Sequence, residues 1–394
     1  MSGSPSPRRK FVAAHIDVLP KSGIREFFDL VSTMKGVVSL GVGEPDFVTP
    51  WNIRESGIYS IEKGHTSYTS NLGLLPLRKA ICEYVRANYR VDYRPEDECL
   101  VTIGVSEALD IVMRAMLDPG DEVLYTEPCF VSYPAEVRMA HGVPVVVETR
   151  ESDGFALDPA ALRAKITPKS KLLLLNFPCN PTGATLPLAA MREIAAIAIE
   201  HDLLVVTDEI YSELLYEGEH TSIASLPGMR ERTIFLHGFS KAFAMTGWRV
   251  GYACGPAELI DPMMKIHQYS IMCASTASQE AALDALRHGA GAMAEMRESY
   301  RERRNLIVNG FNRLGLDCRM PKGAFYAFPR ITASGMDSMT FAKTLLAEER
   351  VAVVPGTAFG PCGEGFVRCS YAASVENIRL ALERIGRFMT RHHV

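Results

Sequence analysis

Lys241 has a setting that suggests chemistry, because it lies in the apolar segment HGFSKAFAMTGWRVGY at residues 237–252. A lysine usually keeps its ammonium group in water, so a surface position is its ordinary interpretation. A desolvated lysine favours the neutral amine, which can act as a nucleophile and form a Schiff base. Ser240 and Arg249 flank it at a spacing suited to binding one phosphate group, although a surface salt bridge is an ordinary role for an arginine.

Two apolar runs end in polar residues that could share a site with Lys241. Asp208 ends the run in DLLVVTDEIY, and Tyr211 follows three residues later. A carboxylate at the end of a buried strand needs a cationic partner such as a protonated ring nitrogen, but capping of a following helix is at least as good an interpretation. KLLLLNFPCNPTG leads into a loop with Asn180, whose amide could bind a phenolic or carboxylate oxygen. Asn-Pro is also a common turn, so a purely structural loop is the alternative.

Three further segments offer groups for a phosphate, a flat ring and a carboxylate. CLVTIGVSEALDIV passes through Gly104 into a predicted helix whose first turn carries Val105 and Ser106, where backbone N–H groups favour phosphate. The segment lacks GxGxxG and GxxxxGK[ST], so dinucleotide and NTPase functions lose their usual support. Phe130 in EPCFVSYP could stack on a ring or belong to the core. Arg368 in EGFVRCSYA could bind a substrate carboxylate or form a structural salt bridge.

Residues 99–254 supply the elements that would position these groups. Short apolar runs alternate there with helical periodicity, which predicts an α/β fold with a mainly parallel sheet covered on both faces. Ligands collect at the carboxyl ends of parallel strands, so the candidates are expected along one sheet edge. Only residues 238–249 connect the last two runs, which leaves antiparallel pairing of those two strands open.

The chain is long enough for one large core and a second, smaller one. After residue 285 the pattern changes to a long charged helix, short strands and a closing amphipathic helix. We therefore expect residues 1–50 to form an N-terminal tail and a segment packing with the small domain. Residues 51–284 are expected to form the large domain, and residues 285–394 the small C-terminal domain.

Composition excludes several classes of function. The net charge of −4, without a long basic stripe, argues against a nucleic-acid partner. The nine cysteines show neither CxxC pairs nor zinc-type Cys/His spacing, which predicts buried thiols in a reducing compartment and no metal site. MSGSPSPRRK is followed by no apolar segment of the signal-peptide or anchor type, so we expect a cytoplasmic protein without a membrane partner.

The sequence resembles the class I aminotransferases of the fold-type I pyridoxal-phosphate enzymes, in the branch of aspartate and aromatic aminotransferases. The matching segments run in family order over nearly the whole chain: SGIREFFDL, LGVGEPDF, YTSNLGLLPLR, EPCFVSYP, NFPCNPTG, DEIY, GFSKAFAMTGWRVGY, KGAFYAFP and FVRCSYA. The resemblance implies a fold-type I α/β architecture. Its large domain would hold a mainly parallel seven-stranded sheet and bind pyridoxal 5'-phosphate.

The resemblance also implies a role for each residue around the cofactor ring. Lys241 would carry the cofactor as a Schiff base and then move a proton as general base and acid. Asp208 would keep the pyridine nitrogen protonated, so that the ring can accept electrons. Tyr211 and Asn180 would bind the phenolic oxygen. Phe130 would stack on the ring, where some relatives use tryptophan.

The phosphate end is assigned in the same way. Ser106, Ser240 and Arg249 would hold the phosphate together with the backbone amides of Val105 and Ser106. Tyr68 would reach the phosphate of the neighbouring subunit, which implies a homodimer with a shared active site.

The substrate side is the least specified by the resemblance. Four residues would border the substrate: Gly43, Phe130, Asn180 and Arg368, the last binding the α-carboxylate. Phe130 and Tyr326, with Ile24 and Phe359 as further candidates, suggest a pocket for an apolar or aromatic side chain. No second cation for a dicarboxylic substrate can be assigned.

We therefore favour transamination of an aromatic L-amino acid with 2-oxoglutarate, a reaction of amino acid metabolism. Aspartate and N-acylated diamino acids remain open as donors. Fold and cofactor do not fix the reaction, so a β-lyase or a decarboxylase on the same scaffold is an alternative, and a non-catalytic sensor is a remote one.

Overall fold

The computed structural model describes residues 10–19 and 34–392. Ile24 and the segment 22–30, on which part of the resemblance and of the expected substrate pocket rest, lie outside the described residues. The strands are β1 (Val38–Ser39), β2 (Cys99–Thr102), β3 (Glu122–Glu127), β4 (Val143–Glu148), β5 (Ser170–Asn176), β6 (Leu204–Asp208), β7 (Thr233–Gly238), β8 (Gly251–Cys254), β9 (Tyr326–Ala327), β10 (Val351–Ala352), β11 (Val354–Pro355) and β12 (Val367–Ser370).

Helices alternate with these strands along the chain. The α-helices are α1 (Ala14–Asp17), α2 (Trp51–Glu62), α3 (Leu75–Tyr89), α4 (Gly104–Met116), α5 (Ser132–Met139), α6 (Pro159–Lys165), α7 (Leu188–Glu200), α8 (Phe239–Ala242), α9 (Ala257–Ser270), α10 (Thr276–His288), α11 (Ala290–Arg313), α12 (Ser338–Glu349) and α13 (Val375–His392). Short 3₁₀ turns lie at Glu151–Asp153, Ile223–Ser225, Arg230–Arg232, Thr246–Trp248, Thr332–Ser334, Gly356–Phe359 and Pro361–Gly363.

A seven-stranded sheet in the order β2-β8-β7-β6-β5-β3-β4 forms the centre of the fold. Strands β4, β3, β5, β6 and β7 pair in parallel, whereas β8 runs antiparallel to both β7 and β2. The link between β7 and β8 holds only residues 239–250, which is too short for an ordinary crossover. The predicted α/β fold with a mainly parallel sheet is therefore confirmed, and the last two strands are antiparallel neighbours.

The leucine run of β5 shows why the sheet lies in the middle. Side chains alternate between the two faces of a strand. Leu173 and Leu175 pack in a cluster with residues of α7, while Leu172 and Leu174 pack on the opposite face with residues of α4. All four leucines are buried. A strand covered on both faces has to be apolar throughout, which is the pattern that the sequence shows.

A second region contains the antiparallel sheet β11-β12-β9 and the parallel pair β1-β10. The apolar run VAVVPG divides between them, because β10 pairs with β1 and β11 pairs with β12. A single cluster buries residues of α11, α12 and α13 against these strands. The pairing of β1 links the N-terminal segment to the C-terminal part, while the division into domains at residues 50 and 284 stays a prediction.

Among the residues that the structure describes, no helix is long and apolar enough to cross a membrane.

Candidate active site

The carboxyl ends of several sheet strands border one cavity of about 610 Å³. Eleven of the twelve predicted site residues line it: Gly43, Val105, Ser106, Phe130, Asn180, Asp208, Tyr211, Ser240, Lys241, Arg249 and Arg368. Tyr68 does not line the cavity and is 79% exposed. The sheet edge therefore collects the polar residues of strands that are far apart in sequence, as the parallel topology requires.

Lys241 lies in the short helix α8, directly after β7. Its Nζ donates a 2.8 Å hydrogen bond to the Gly43 carbonyl and lies 5.8 Å from the centre of the Phe325 ring. Burial lowers the pKa of Lys241 to about 8, and the positive charges of Arg368 and Arg249 act in the same direction against Glu44. A substantial fraction of this amine is thus neutral near physiological pH, which a nucleophilic lysine requires.

Asp208 ends β6 and is 5% exposed. The Tyr133 hydroxyl donates to its Oδ2 at 2.9 Å, and the Ile210 backbone N–H donates to its Oδ1 at 3.2 Å. No lysine or arginine in the described part of the chain forms an ion pair with it. Residues 209–222 contain no helix, so the helix-capping interpretation is wrong. Burial raises the pKa of Asp208 to about 6, and a cation beside it would restore the ionised form.

Arg368 is buried at 3% exposure in the middle of β12. It donates from Nη1 to the Asn180 side-chain oxygen at 2.9 Å and from Nη2 to the Gly41 carbonyl at 2.7 Å. Its Nε is buried and has no hydrogen-bond partner among the described residues. Burial lowers the pKa of Arg368 from its usual value. A buried guanidinium held only by neutral oxygens is suited to accept a carboxylate.

The rings of Tyr326 and Phe359 both lie against this guanidinium, with their centres 4.4 and 4.7 Å from its central carbon. Tyr326 also meets the Tyr211 hydroxyl at 2.8 Å and lines the cavity, as predicted. Phe359 does not line the cavity, so its predicted place in the pocket wall is wrong. Its ring is only 1% exposed and packs against the guanidinium of Arg368.

The start of α4 provides the expected anion cradle. Gly104 has a φ of +69°, and a Cβ at this position would lie 2.7 Å from Nη2 of Arg249. The glycine therefore lets the guanidinium approach the first turn of the helix, where backbone N–H groups are free for an anion. Arg249 donates to the Thr246 carbonyl at 3.1 Å and forms no salt bridge within the described ranges. Ser106, in the first turn of α4, and Ser240 also line the cavity.

Comparison with known proteins supports one family. Residues 35–385 match the family model described as aminotransferase class I and II. The chain belongs to this family. The aminotransferase is 52% identical over 379 residues to YugH of Bacillus subtilis (strain 168), which covers 96% of this chain and 98% of YugH. It is 44% identical over 377 residues to an aspartate aminotransferase of Pyrococcus abyssi, covering 95% and 97% of the two chains.

A solved structure agrees with the family and the fold. The crystal structure of an aromatic aminotransferase from Pyrococcus horikoshii OT3 matches the aminotransferase with a TM-score of 0.89 and 44% sequence identity. The match covers 93% of this chain and 99% of that chain. The aminotransferase is thus a fold-type I enzyme that uses pyridoxal phosphate and acts on amino and oxo acids, as the sequence predicted.

The residues present fit this cofactor. The cavity joins a half-buried amine at Lys241 to a buried carboxyl at Asp208 that lacks a cation. The start of α4 and the guanidinium of Arg249 offer donors to an anion at another part of the same cavity. In the described part of the chain, no group of three or more His, Cys, Asp or Glu could hold a metal ion.

Sequence reasoning missed several residues that line the cavity of the aminotransferase. They include Glu44, Tyr133, Glu136, Asn176 and Thr246. The signal for Tyr133 was its position three residues after Phe130, and the two rings do meet edge to face at 5.7 Å between their centres. Glu136 lies one turn further and had no such signal, since a glutamate in a helix is usually exposed.

Proposed function

We propose that the aminotransferase transfers the amino group of an aromatic L-amino acid to 2-oxoglutarate, and that it works as a homodimer with a shared active site. The observation that carries the donor assignment is the balance of cations and rings in the cavity. Lys241, Arg249 and Arg368 are its cations among the described residues, and Phe130, Tyr133, Tyr211 and Tyr326 are its rings.

Two of the three cations are engaged by the cofactor in this proposal. Lys241 would bind it covalently, and its amine, which has a pKa of about 8, would then take the proton from the substrate Cα and return it during the second half of the reaction. Bound here, pyridoxal phosphate would supply an electron sink for the substrate carbon. Arg249 would bind the phosphate with Ser106, Ser240 and the amides of α4.

Asp208 and its neighbours would orient the ring. The carboxylate would accept a hydrogen bond from the protonated ring nitrogen, while Tyr133 and the Ile210 N–H keep it in place. Phe130 would lie against one face of the ring. Tyr211 and Asn180 would bind the phenolic oxygen, since both line the cavity and Asn180 is itself held by Arg368.

Arg368 would bind the α-carboxylate that every substrate shares. Its two bonded nitrogens already donate to neutral acceptors, and its free Nε gives a further donor. Gly43 lies beside the same group, because a Cβ there would be 3.0 Å from the Tyr326 hydroxyl and 3.8 Å from Nη2 of Arg368. A substrate carboxylate would thus be bound between the backbone of residue 43 and the guanidinium.

With these roles assigned, no cation of the described cavity wall is left for a distal carboxylate. Leu109, Ile210, Phe130 and Tyr326 offer apolar surface instead, which favours an aromatic side chain over that of aspartate. Sequence identity does not decide the question, because the aspartate enzyme of Pyrococcus abyssi and the aromatic enzyme of Pyrococcus horikoshii are both 44% identical to this chain.

2-Oxoglutarate completes the proposal as the acceptor. Its α-carboxylate and oxo group match Arg368 and Lys241 in the same way as the donor. Its distal carboxylate would have to use uncharged donors of the cavity, such as the hydroxyl groups of Ser106 and Thr246. The acceptor therefore has to be tested as well as the donor.

An apolar surface next to the site supports the homodimer. Trp51, Ile58, Tyr59 and Ile61 of α2 are each roughly half exposed or more, and Tyr269 of α9 is 87% exposed. The segments that follow α2 and α9 in the chain are in contact, since the Thr276 hydroxyl donates to the Ser67 carbonyl and the Asn71 amide donates to the Met272 carbonyl. Clusters of exposed large apolar side chains of this kind usually mark interfaces.

Tyr68 follows Ser67 in the first of these segments, is 79% exposed and does not line the cavity of its own chain. Such a position fits a residue that serves the phosphate of the neighbouring subunit. We also propose a cytoplasmic location, because all nine cysteines are free thiols.

The donor assignment is tested by a panel of amino acids with 2-oxoglutarate, measured as kcat/KM for each donor. We expect phenylalanine and tyrosine to exceed aspartate by about tenfold or more, a difference of about 1.4 kcal/mol. Equal or better use of aspartate would reject the aromatic assignment. A second panel of oxo acids with the best donor tests the acceptor.

The reaction type is tested with one amino acid and no acceptor. An aminotransferase should convert its bound cofactor stoichiometrically to the pyridoxamine form and release one oxo acid. Release of ammonia with pyruvate would indicate a β-lyase instead. Equilibrium sedimentation of the holoenzyme tests the dimer, and a monomer with full activity would contradict the shared site.

A further inference from the structure

Glu136 is a buried acid in the cavity to which the reaction assigns no role. It lies in α5, lines the cavity and is 7% exposed. Its Oε2 is buried and lacks a hydrogen-bond partner in the part of the chain that the structure describes. A buried, unpartnered carboxyl is costly, so its presence at a functional cavity calls for a physical account.

The position of Glu136 relates it to Asp208. Tyr133 lies one helical turn before Glu136 in α5 and donates its hydroxyl proton to Asp208 at 2.9 Å. Residues three apart in a helix lie on the same face. The two carboxyl groups and the tyrosine therefore share the end of the cavity where the ring nitrogen of the cofactor is expected.

The charged groups around Glu136 offer it no cation. The charges that act on it come from Asp110 of α4 and Asp208 of β6, and both are negative. Helix α5 also packs against β4 and α1, and just beyond its C-terminal end the ring of His15 meets that of His141 at 4.2 Å between centres, with the ring planes tilted by 46°. Among the described residues, Glu136 takes part in no salt bridge.

Burial, reinforced by the charges of Asp110 and Asp208, raises the pKa of Glu136 to about 9. Asp208 has the lower pKa of the pair, about 6. When two carboxyl groups share a buried site, ionisation of one opposes ionisation of the other. Near neutral pH the negative charge then belongs to Asp208, and Glu136 keeps its proton.

We propose that Glu136 is a positioning residue that acts through Asp208, so that the two carboxyl groups share a single negative charge and that charge faces the ring nitrogen of the cofactor. The proposal rests on the proposed role of Asp208. The ring nitrogen would then face a pair of carboxyl groups. Near neutral pH Glu136 is protonated and only Asp208 is charged, whereas in alkaline solution Glu136 ionises and adds a second negative charge.

The first test uses the cofactor-free protein and the variant Glu136→Gln. A carboxyl with a raised folded-state pKa contributes stability that is present below its unfolded value, near pH 4.5, and is lost as the pH rises through about 9. A glutamine at this position does not titrate, so its contribution to stability does not depend on pH. The variant should match the wild type in melting temperature at pH 5 and exceed it increasingly up to pH 8.

The slope of that difference corresponds to about one proton taken up on folding between pH 6 and 8. Glu193→Gln, at an exposed position of α7, is the matched control and should show no such slope. A constant difference between Glu136→Gln and the wild type from pH 5 to 8 would overturn the proposal, because Glu136 would then ionise as an ordinary surface acid.

The second test measures the coupling to Asp208. In an Asp208→Asn background the neighbouring negative charge is gone, so Glu136 should ionise more easily and the pH-dependent effect of Glu136→Gln should shrink. An unchanged effect would mean that the two carboxyl groups do not interact, which also overturns the proposal. Neither measurement uses cofactor or substrate, so a failure of the donor panel would leave both results interpretable.

The third test uses the holoenzyme and the visible absorption of its cofactor. Ionised Glu136 adds a negative charge near the protonated ring nitrogen and helps it to keep its proton. In alkaline solution, the absorption change that accompanies loss of the proton from the ring nitrogen should therefore occur about one pH unit lower in Glu136→Gln than in the wild type. Identical titration curves would show that Glu136 does not act on the ring nitrogen.

Discussion

The two ends of the cavity each hold one buried charged group, and the two groups are held in different ways. Asp208 emerges from β6 and is fixed by Tyr133 and by its own chain at Ile210. Arg368 comes from the smaller antiparallel sheet and is fixed by Gly41 and Asn180. The acid thus belongs to the edge of the large sheet, whereas the cation depends on three distant segments of the chain.

This difference has a consequence for the two ligands. The acid end is built from β6 and α5 of the large sheet region and is suited to a cofactor that stays bound through many reaction cycles. The cation end joins the two sheets and is suited to a substrate that enters and leaves. Lys241 is influenced by both groups. Burial has the largest effect and lowers its pKa, Arg368 lowers it further, and Asp208 raises it.

Removal of the amine between the two ends should have the largest effect. Lys241→Ala leaves both charged groups in place but eliminates the nucleophile and the proton carrier, so we expect kcat to fall about 10⁴-fold or more. Steady-state rates with the best donor measure this fall in kcat. The visible absorption of the cofactor should also change, because the variant has no amine at position 241 to which the cofactor can bind covalently. Lys343→Ala, at an exposed position of α12, is the control. Retained activity would contradict the whole site assignment.

Weakening of the cation end should separate binding from chemistry. Arg368→Lys keeps the charge but cannot donate in the same geometry to Gly41, Asn180 and a carboxylate. We expect KM for the amino acid to rise about 100-fold, with a smaller change in kcat. Cofactor affinity of the cofactor-free protein should change little. The exposed Arg379→Lys serves as the control, and equal losses of substrate and cofactor binding would erase the contrast between the two ends.

The pH dependence of cofactor addition tests the amine itself. Only the neutral form of Lys241 is nucleophilic, so the rate of recombination with pyridoxal phosphate should rise about tenfold per pH unit below the lysine pKa. With a pKa of about 8, the rate should level off near pH 8. Glu44→Gln removes a charge that raises this pKa and should move the plateau to lower pH. A rate that still rises at pH 10 would show that the pKa of Lys241 is not lowered by burial.

The smallest effect is expected from a single hydrogen bond at the acid end. Tyr133→Phe removes the 2.9 Å bond to Asp208 and leaves the ring in place. A bond of this kind contributes about 1 kcal/mol, so we expect kcat to fall about fivefold. Tyr93→Phe is the matched control, because the Tyr93 hydroxyl is buried without a partner among the described residues. Equal rates for both variants would show that the acid end does not depend on this support.

The sequence was most informative where a local run carries the structure. The buried leucines of β5 and the polar residues directly after the strands depend only on neighbours in the chain, and the segment around Lys241 shares its pattern with the family. Asp208, Asn180 and Lys241 could therefore be placed at one sheet edge without coordinates. Phe359 was assigned to the pocket wrongly, because its ring direction depends on Arg368.

The amino-acid sequence by itself determined the α/β fold, because it follows from apolar periodicity, and its resemblance to a known family in short segments implied the cofactor and the family. The tertiary structure decided what surrounds each charge. Tyr133 and Asp208 are 75 residues apart, and Asn180 and Arg368 are 188 apart. Burial and hydrogen bonding are properties of such long-range contacts, so the shifted pKa values of Lys241 and Asp208 and the buried carboxyl of Glu136 exist only in the folded chain.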